Sequence, residues 1–183
     1  MSDTRSRALE AAVSLVGEQG VRALTHARVD DRAGLPRGST SNWFRTRHAL
    51  VAGVTTWIAE RERADFAAVG PIAPRDEDEL VDAFCVMIAV ETGPFAARTR
   101  ARYAMFLEGS SDPVLLAPLL AQRAALEEWM QILLAGIGVT PADDVTRATM
   151  AALDGVVLHR LTVDPNAELR PVVARIVHAA VAA

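Results

Sequence analysis

THARVDDRAGLPRGSTSNWFRTRHAL, residues Thr25–Leu50, reads as two short helices joined by a Gly-centred turn, with a third helix beginning at its end. Thr25 suits an N-cap, Val29 and Ala33 share a face, and Gly34 supplies the left-handed conformation that ends a helix. Leu35 packs inward from the turn, and the fixed φ of Pro36 suits a helix start, which predicts a second helix over Arg37–Phe44. That helix is poor in aliphatic residues and rich in small donors and acceptors, with Phe44 at its C-terminal end as the anchor to a core. Arginine pairs with guanine, asparagine with adenine, and serine or threonine with base edges or phosphates. A helix, a tight turn and an exposed polar helix form the layout of a helix-turn-helix DNA reader.

Outward from this segment the charge divides. The chain carries a net −4, yet residues 1–50 hold eight arginines against five acids, so they carry +3 and the remainder −7. Positive potential is thereby placed where phosphates would lie. All 19 basic residues are arginine, which reads as a coding bias toward GC-rich codons.

The rest of the chain shows helical periodicity and no strand alternation. Thr46 caps a long helix to about Val69, which sets Thr46 and Arg47 at a helix N-terminus that favours a phosphate. Gly70-Pro71-Ile72-Ala73-Pro74 is the strongest linker signal. Asp76 and Glu79 then form a capping pair for a helix to about Glu91, Gly93-Pro94 starts another to about Glu108, and Ser111-Asp112-Pro113 opens one to about Ala135. Thr140-Pro141 caps a helix to about Val163, and Asp164-Pro165 precedes the last. The expected fold is all-α with about nine helices.

The first fifty residues resemble the N-terminal domain of the tetracycline-repressor-like (TetR) family of bacterial transcription regulators. The resemblance rests on Ala11-Ala12, Gly20, Leu24-Thr25, Ala33-Gly34, Gly38, Phe44, Arg47 and Leu50, in the family's order and spacing. It implies a three-helix DNA-binding domain over 1–50 and a helical ligand-binding and dimerisation domain over 51–183. The implied DNA-contact set is Thr25, His26, Arg28, Arg37, Gly38, Ser39, Thr40, Ser41, Asn42, Trp43, Thr46 and Arg47. Three departures stand out. Thr40 and Ser41 replace an aliphatic residue and a tyrosine, Trp43 stands where His or Tyr is common, and Asp30 where Ala is usual. Two carboxylates, Asp30 and Asp31, would repel DNA unless paired, so one is expected to be held by Arg37 or Arg45.

The last two helices carry apolar stripes at i, i+3, i+4 and i+7 spacing, and Leu153, Val157, Leu161, Val173, Ile176 and Val177 are expected to form a homodimer interface. A dimer of readers matches a palindromic double-stranded operator. In the middle helices Phe84, Met87, Ile88, Phe95, Tyr103, Phe106, Trp129, Met130 and Leu133 are the candidate lining of an apolar pocket for a small-molecule effector, as the resemblance implies. Entry of that molecule would shift the helix from Thr46 and release DNA, the behaviour of a repressor.

Other classes lack support. His26, His48, His159 and His178 form no metal-binding pair such as H-E-x-x-H, and no G-x-S-x-G, Cys-His arrangement or phosphate-cradling loop occurs, so no enzyme, metal or cofactor is expected. The single Cys85 forms no internal disulfide. No apolar run approaches the ~20 residues of a membrane span, and MSDTRSR lacks the apolar region of a signal peptide, which places the chain in the cytoplasm, away from membranes. The alternative is a helical ligand-binding dimer whose DNA domain is degenerate, motivated by Thr40, Ser41 and the two aspartates.

Overall fold

The computed structural model describes residues 2–70, 72–140 and 142–183, and every regular element among them is helical. Nine α-helices follow in chain order: α1 Ser2–Gln19, α2 His26–Ala33, α3 Ser39–Trp43, α4 Arg47–Val69, α5 Glu77–Thr92, α6 Ala96–Glu108, α7 Pro113–Gly136, α8 Asp143–Thr162 and α9 Arg170–Val181. One 3-10 turn, Val21–Ala23, precedes α2.

Local chemistry sets most of these boundaries. The Thr25 hydroxyl accepts from the Arg28 amide at 3.4 Å, and Thr46 accepts from Ala49 at 3.0 Å to open α4. Asp76 accepts from the Glu79 amide at 2.9 Å while Glu79 accepts from the Arg75 amide at 2.9 Å, a reciprocal arrangement that satisfies two amides at the start of α5. Asp112 caps α7 through Leu115 at 3.1 Å. α2 ends in a Schellman turn: Gly34 is left-handed, its amide reaches Asp31, and the Leu35 amide reaches Asp30. Two expected starts move. α8 begins at Asp143 with Ala142 as its N-cap, where Asp143 and Asp144 complement the dipole; Pro141, like Pro71, lies outside the described residues. α3 begins at Ser39 instead of Arg37, because Pro36, Arg37 and Gly38 form a turn closed by the Ser39 amide on the Pro36 carbonyl at 3.1 Å.

The chain packs as two compact units, the first extending to Ala68 and adding Ala97–Gln122, the second comprising Val69–Ala96 and Arg123–Ala183. The core of the first is built from Leu9, Ala12 and Val16 of α1, Leu24, Val29, Phe44, then Leu50, Val54 and Ile58 of α4, Met105 of α6 and Leu119 of α7. Their spacing on α4, at i, i+4 and i+8, is the stripe that makes a surface helix bury one face. Arg102 pairs with Glu62 at 3.0 Å and Arg98 with Asp65, so α6 is tied to α4 by charge as well as by packing.

In the second unit α5 packs on α9 and α8, and α8 on α9. Leu80, Phe84 and Ile88 of α5, Leu133 and Leu134 of α7, and Val173 and Val177 of α9 are buried there. Arg170 reaches Asp78 at 2.8 Å and also Asp82, and Arg160 donates to Thr92 at 3.1 Å and to the Ala167 carbonyl at 2.6 Å, closing the connection into α9. Cys85 is half-buried, and desolvation followed by the Asp82 carboxylate raises its thiol pKa, which disfavours the thiolate. No single helix among the described residues is long and apolar enough to cross a membrane.

Candidate nucleic-acid interface

The residues expected to contact DNA separate into three groups once their partners are known. Arg37 and Asn42 are exposed, and their side chains make no hydrogen bond or ion pair among the described residues, so the side-chain donors and acceptors are available. Thr25, Arg28, Ser39, Ser41, Thr46 and Arg47 lie on the same segment but already have a hydrogen-bond partner, inside the segment or beyond it. Ser39 and Ser41 donate to the carbonyls of Pro36 at 2.6 Å and Gly38 at 2.9 Å, which leaves their oxygens as acceptors. Arg28 donates to Gln19, and Arg47 to the Val21 carbonyl and to Glu108, each at 3.3 Å. Arg47 keeps half its side chain exposed.

The third group is structural. Thr40, expected as a contact, is fully buried, and its hydroxyl donates to the Asp30 carboxylate at 2.5 Å. A side chain without exposed surface has nothing to offer a base edge, so Thr40 leaves the contact set. Nε2 of His26 donates to the Phe44 carbonyl at 2.5 Å, tying the first turn of α2 to the end of α3. Trp43 is half-buried against the core of the first unit, and Phe44 is buried in it. Gly53 makes room for that ring, since a Cβ there would stand 2.3 Å from Phe44 Cε1. Gly38, with φ of 88°, sits in the left-handed region that admits the turn into α3.

The carboxylates are arranged differently from expectation. Neither Arg37 nor Arg45 holds Asp30. Its two oxygens accept from the Gly38 amide at 2.8 Å, the Thr40 amide at 2.8 Å and the Thr40 hydroxyl. Three donors satisfy a buried charge that would otherwise be costly. Elsewhere Arg32 donates to Glu18, as does the Ser14 hydroxyl at 2.8 Å, and these two bonds hold the Glu18 carboxyl below its ordinary range. Arg7 donates to the Ala33 carbonyl at 2.8 Å, a cation at the C-terminus of α2.

Two arginines outside the expected contact set, Arg22 counted only as charge and Arg45 expected to pair with an aspartate, join the first group. Arg22 and Arg45 are exposed without partners among the described residues, Arg22 ahead of α2 and Arg45 between α3 and α4. Their places beside the capping residues Thr25 and Thr46 were the available signal.

The expected effector and dimer residues are distributed as follows. Phe84, Met87, Ile88, Phe95, Trp129, Met130 and Leu133 belong to the second unit, whereas Tyr103 and Phe106 belong to the first, where Phe106 packs against its core. Within the second unit an open cleft of 490 Å³ is lined by Ile72, Ala73, Pro74, Arg75, Ile132, Leu133 and Gly136, so Leu133 alone of the expected set faces it. Leu153, Val157, Leu161, Val173 and Val177 are buried inside the second unit and Ile176 is half-buried. Apart from the half-buried Ile176, these side chains are part of the unit's own core. The faces that remain exposed carry Leu158 and Val172, with Ala148, Ala151, Ala152, Gly155 and Ala179 around them.

Residues 75–183, more than half of the chain, match the family model of the tetracyclin repressor-like C-terminal domain. Among solved structures, the multidrug binding protein EbrR complexed with ethidium is 26% identical, with 97% of this chain and 98% of that one covered and a TM-score of 0.69. A TetR-family member from Streptomyces coelicolor A3 is 24% identical over 98% of both chains with a TM-score of 0.74. A transcriptional regulator from Rhodococcus sp. Rha1 shares the fold with a TM-score of 0.75 at 16% identity, over 97% of this chain and 94% of that one. No curated protein matches the chain.

Proposed function

The chain belongs to the tetracycline-repressor-like family of transcriptional regulators, and from that premise we propose that it is a repressor released from a palindromic DNA operator by a small molecule. The observation that carries this reading is the pairing of free, exposed side chains at Arg37, in the turn before α3, and Asn42, on α3 itself, with the buried Phe44 anchoring the end of that helix. Arg37 and Asn42 have the donor sets for guanine and adenine edges, and Arg22, Arg45 and Arg47 supply phosphate contacts on either side.

The division of labour proposed is DNA reading by residues 1–50 and effector binding and dimerisation by residues 51–183. EbrR binds ethidium, and an apolar, aromatic effector suits the Phe84, Met87, Trp129 and Met130 region of this chain. Release follows if effector binding shifts α4, the helix that continues from the segment carrying α3. Dimerisation is assigned to the exposed face of α8 and α9 around Gly155, Leu158 and Val172, where small residues permit close helix approach. The degenerate-domain alternative loses part of its motive, since Asp30 and Thr40 are buried and hydrogen-bonded to each other instead of facing DNA, while Asp31 stays exposed.

Selection from a library of random DNA duplexes tests the reading. Enrichment of an inverted repeat, with loss of binding on adding ethidium or a related aromatic cation, supports regulator and effector class together. Enrichment of no sequence overturns it.

A further inference from the structure

α3 has five residues, about one turn and a half, and a helix of that length does not persist in water without outside support. Its own N-cap, Gly38, has no side chain to accept from the first amides. The acceptor comes from another helix. Asp30 on α2 takes the Gly38 amide at 2.8 Å, the Thr40 amide at 2.8 Å and the Thr40 hydroxyl, and it is 1% exposed.

We propose that Asp30, acting with Thr40, is the positioning residue for sequence discrimination: a buried capping carboxylate supplied by α2 that fixes the start and the rotation of α3 and thereby aims Arg37 and Asn42. This rests on the DNA reading above and deepens it. Residues 37 and 42 flank the clamped amides of Gly38 and Thr40, so a change of a few degrees at the clamp moves both side chains relative to the base edges. The clamp also occupies the positive end of α3 with an internal anion. Phosphate contact therefore falls to the arginines around the helix, and α3 is left to read bases. The hydrogen-bond roles make the substitutions informative. Asp30→Asn presents a donor to at least one donor of the set, Thr40→Val deletes the hydroxyl at constant shape, and Thr40→Ser keeps it.

The experiment combines three readouts on the full chain and these three variants: thermal unfolding, amide hydrogen exchange of residues 37–44 without DNA, and enrichment from random duplexes against affinity for a scrambled duplex. Expected for Asp30→Asn and Thr40→Val are a folded protein, faster exchange at Gly38 and Thr40, and discrimination reduced by about tenfold or more. Scrambled-duplex affinity and its salt dependence stay unchanged, and Thr40→Ser behaves as the parent. Parent-like discrimination and exchange in Asp30→Asn overturns the positioning role while leaving the DNA reading intact. If Asp30→Asn fails to fold, the Thr40→Val and Thr40→Ser pair decides on the same criteria. A parent that enriches no sequence overturns the DNA reading and this proposal with it.

Discussion

Arg37 and Asn42 differ from Arg22 and Arg45 in what their removal does. Arg37→Ala or Asn42→Ala is expected to cost about 1–3 kcal/mol of discrimination at the base each reads, seen as a flattened position in the enriched motif. Arg45→Ala weakens binding to all sequences alike and lowers the salt slope by about 1, measured by anisotropy over a salt series. Behind them, Gly53→Ala drives a methyl into the Phe44 ring and is expected to lower stability by about 1–3 kcal/mol in thermal unfolding. The exposure of Arg37 and Asn42 was legible in the sequence, because a segment so poor in aliphatic residues has little to bury. Thr40 and His26 were not legible as structural residues. Their partners, the Asp30 carboxylate and the Phe44 carbonyl, are many positions away, and no local pattern reports them.

Helix boundaries follow the same division between local and distant chemistry. Thr25, Gly34, Thr46, Asp76 and Asp112 act on amides or carbonyls within a few positions, so the sequence announces the elements they bound. The start of α3 is displaced because a tertiary clamp and a left-handed Gly38 override the preference of Pro36 for a first helical turn. At the α5 cap, Arg75 holds the Glu79 carboxyl below its ordinary range through side-chain and backbone bonds. A carboxylate whose folded pKa is lowered favours the folded state above its unfolded pKa and loses that contribution as pH falls through the folded value. Glu79→Gln is therefore expected to remove part of the acid-side pH dependence of stability, read by thermal unfolding from neutral pH downward.

The apolar stripes of α8 and α9 are buried within the second unit itself, where the sequence reading expected a second copy of the chain as their cover. Periodicity says which side of a helix leaves water; it does not say whether the cover is the same chain or another. Leu153→Ala is thus expected to cost about 2–5 kcal/mol of stability without altering association. Leu158→Arg, on the exposed face, is expected to yield folded monomers in sedimentation equilibrium. A dimer unaffected by Leu158→Arg would place the interface elsewhere.

Across the whole molecule, a +3 segment of fifty residues in a chain of net −4 confines favourable DNA contact to one end. The same confinement leaves a single reader with few base contacts, which is why the proposed function calls for two acting together on a palindrome. The fold and the reader were legible because helical periodicity and capping chemistry repeat along the chain. The effector residues were less so: apolar aromatics at helical spacing serve core and cavity alike, and the expected set falls across two packing units. The measurement that bears most directly on this account is titration of the intergenic DNA beside the chain's own gene by anisotropy, at about physiological salt, with a scrambled competitor. Selective binding that survives the competitor, and that Arg37→Ala weakens, is the expected result. Binding that the competitor erases and that Arg37→Ala leaves unchanged would contradict it.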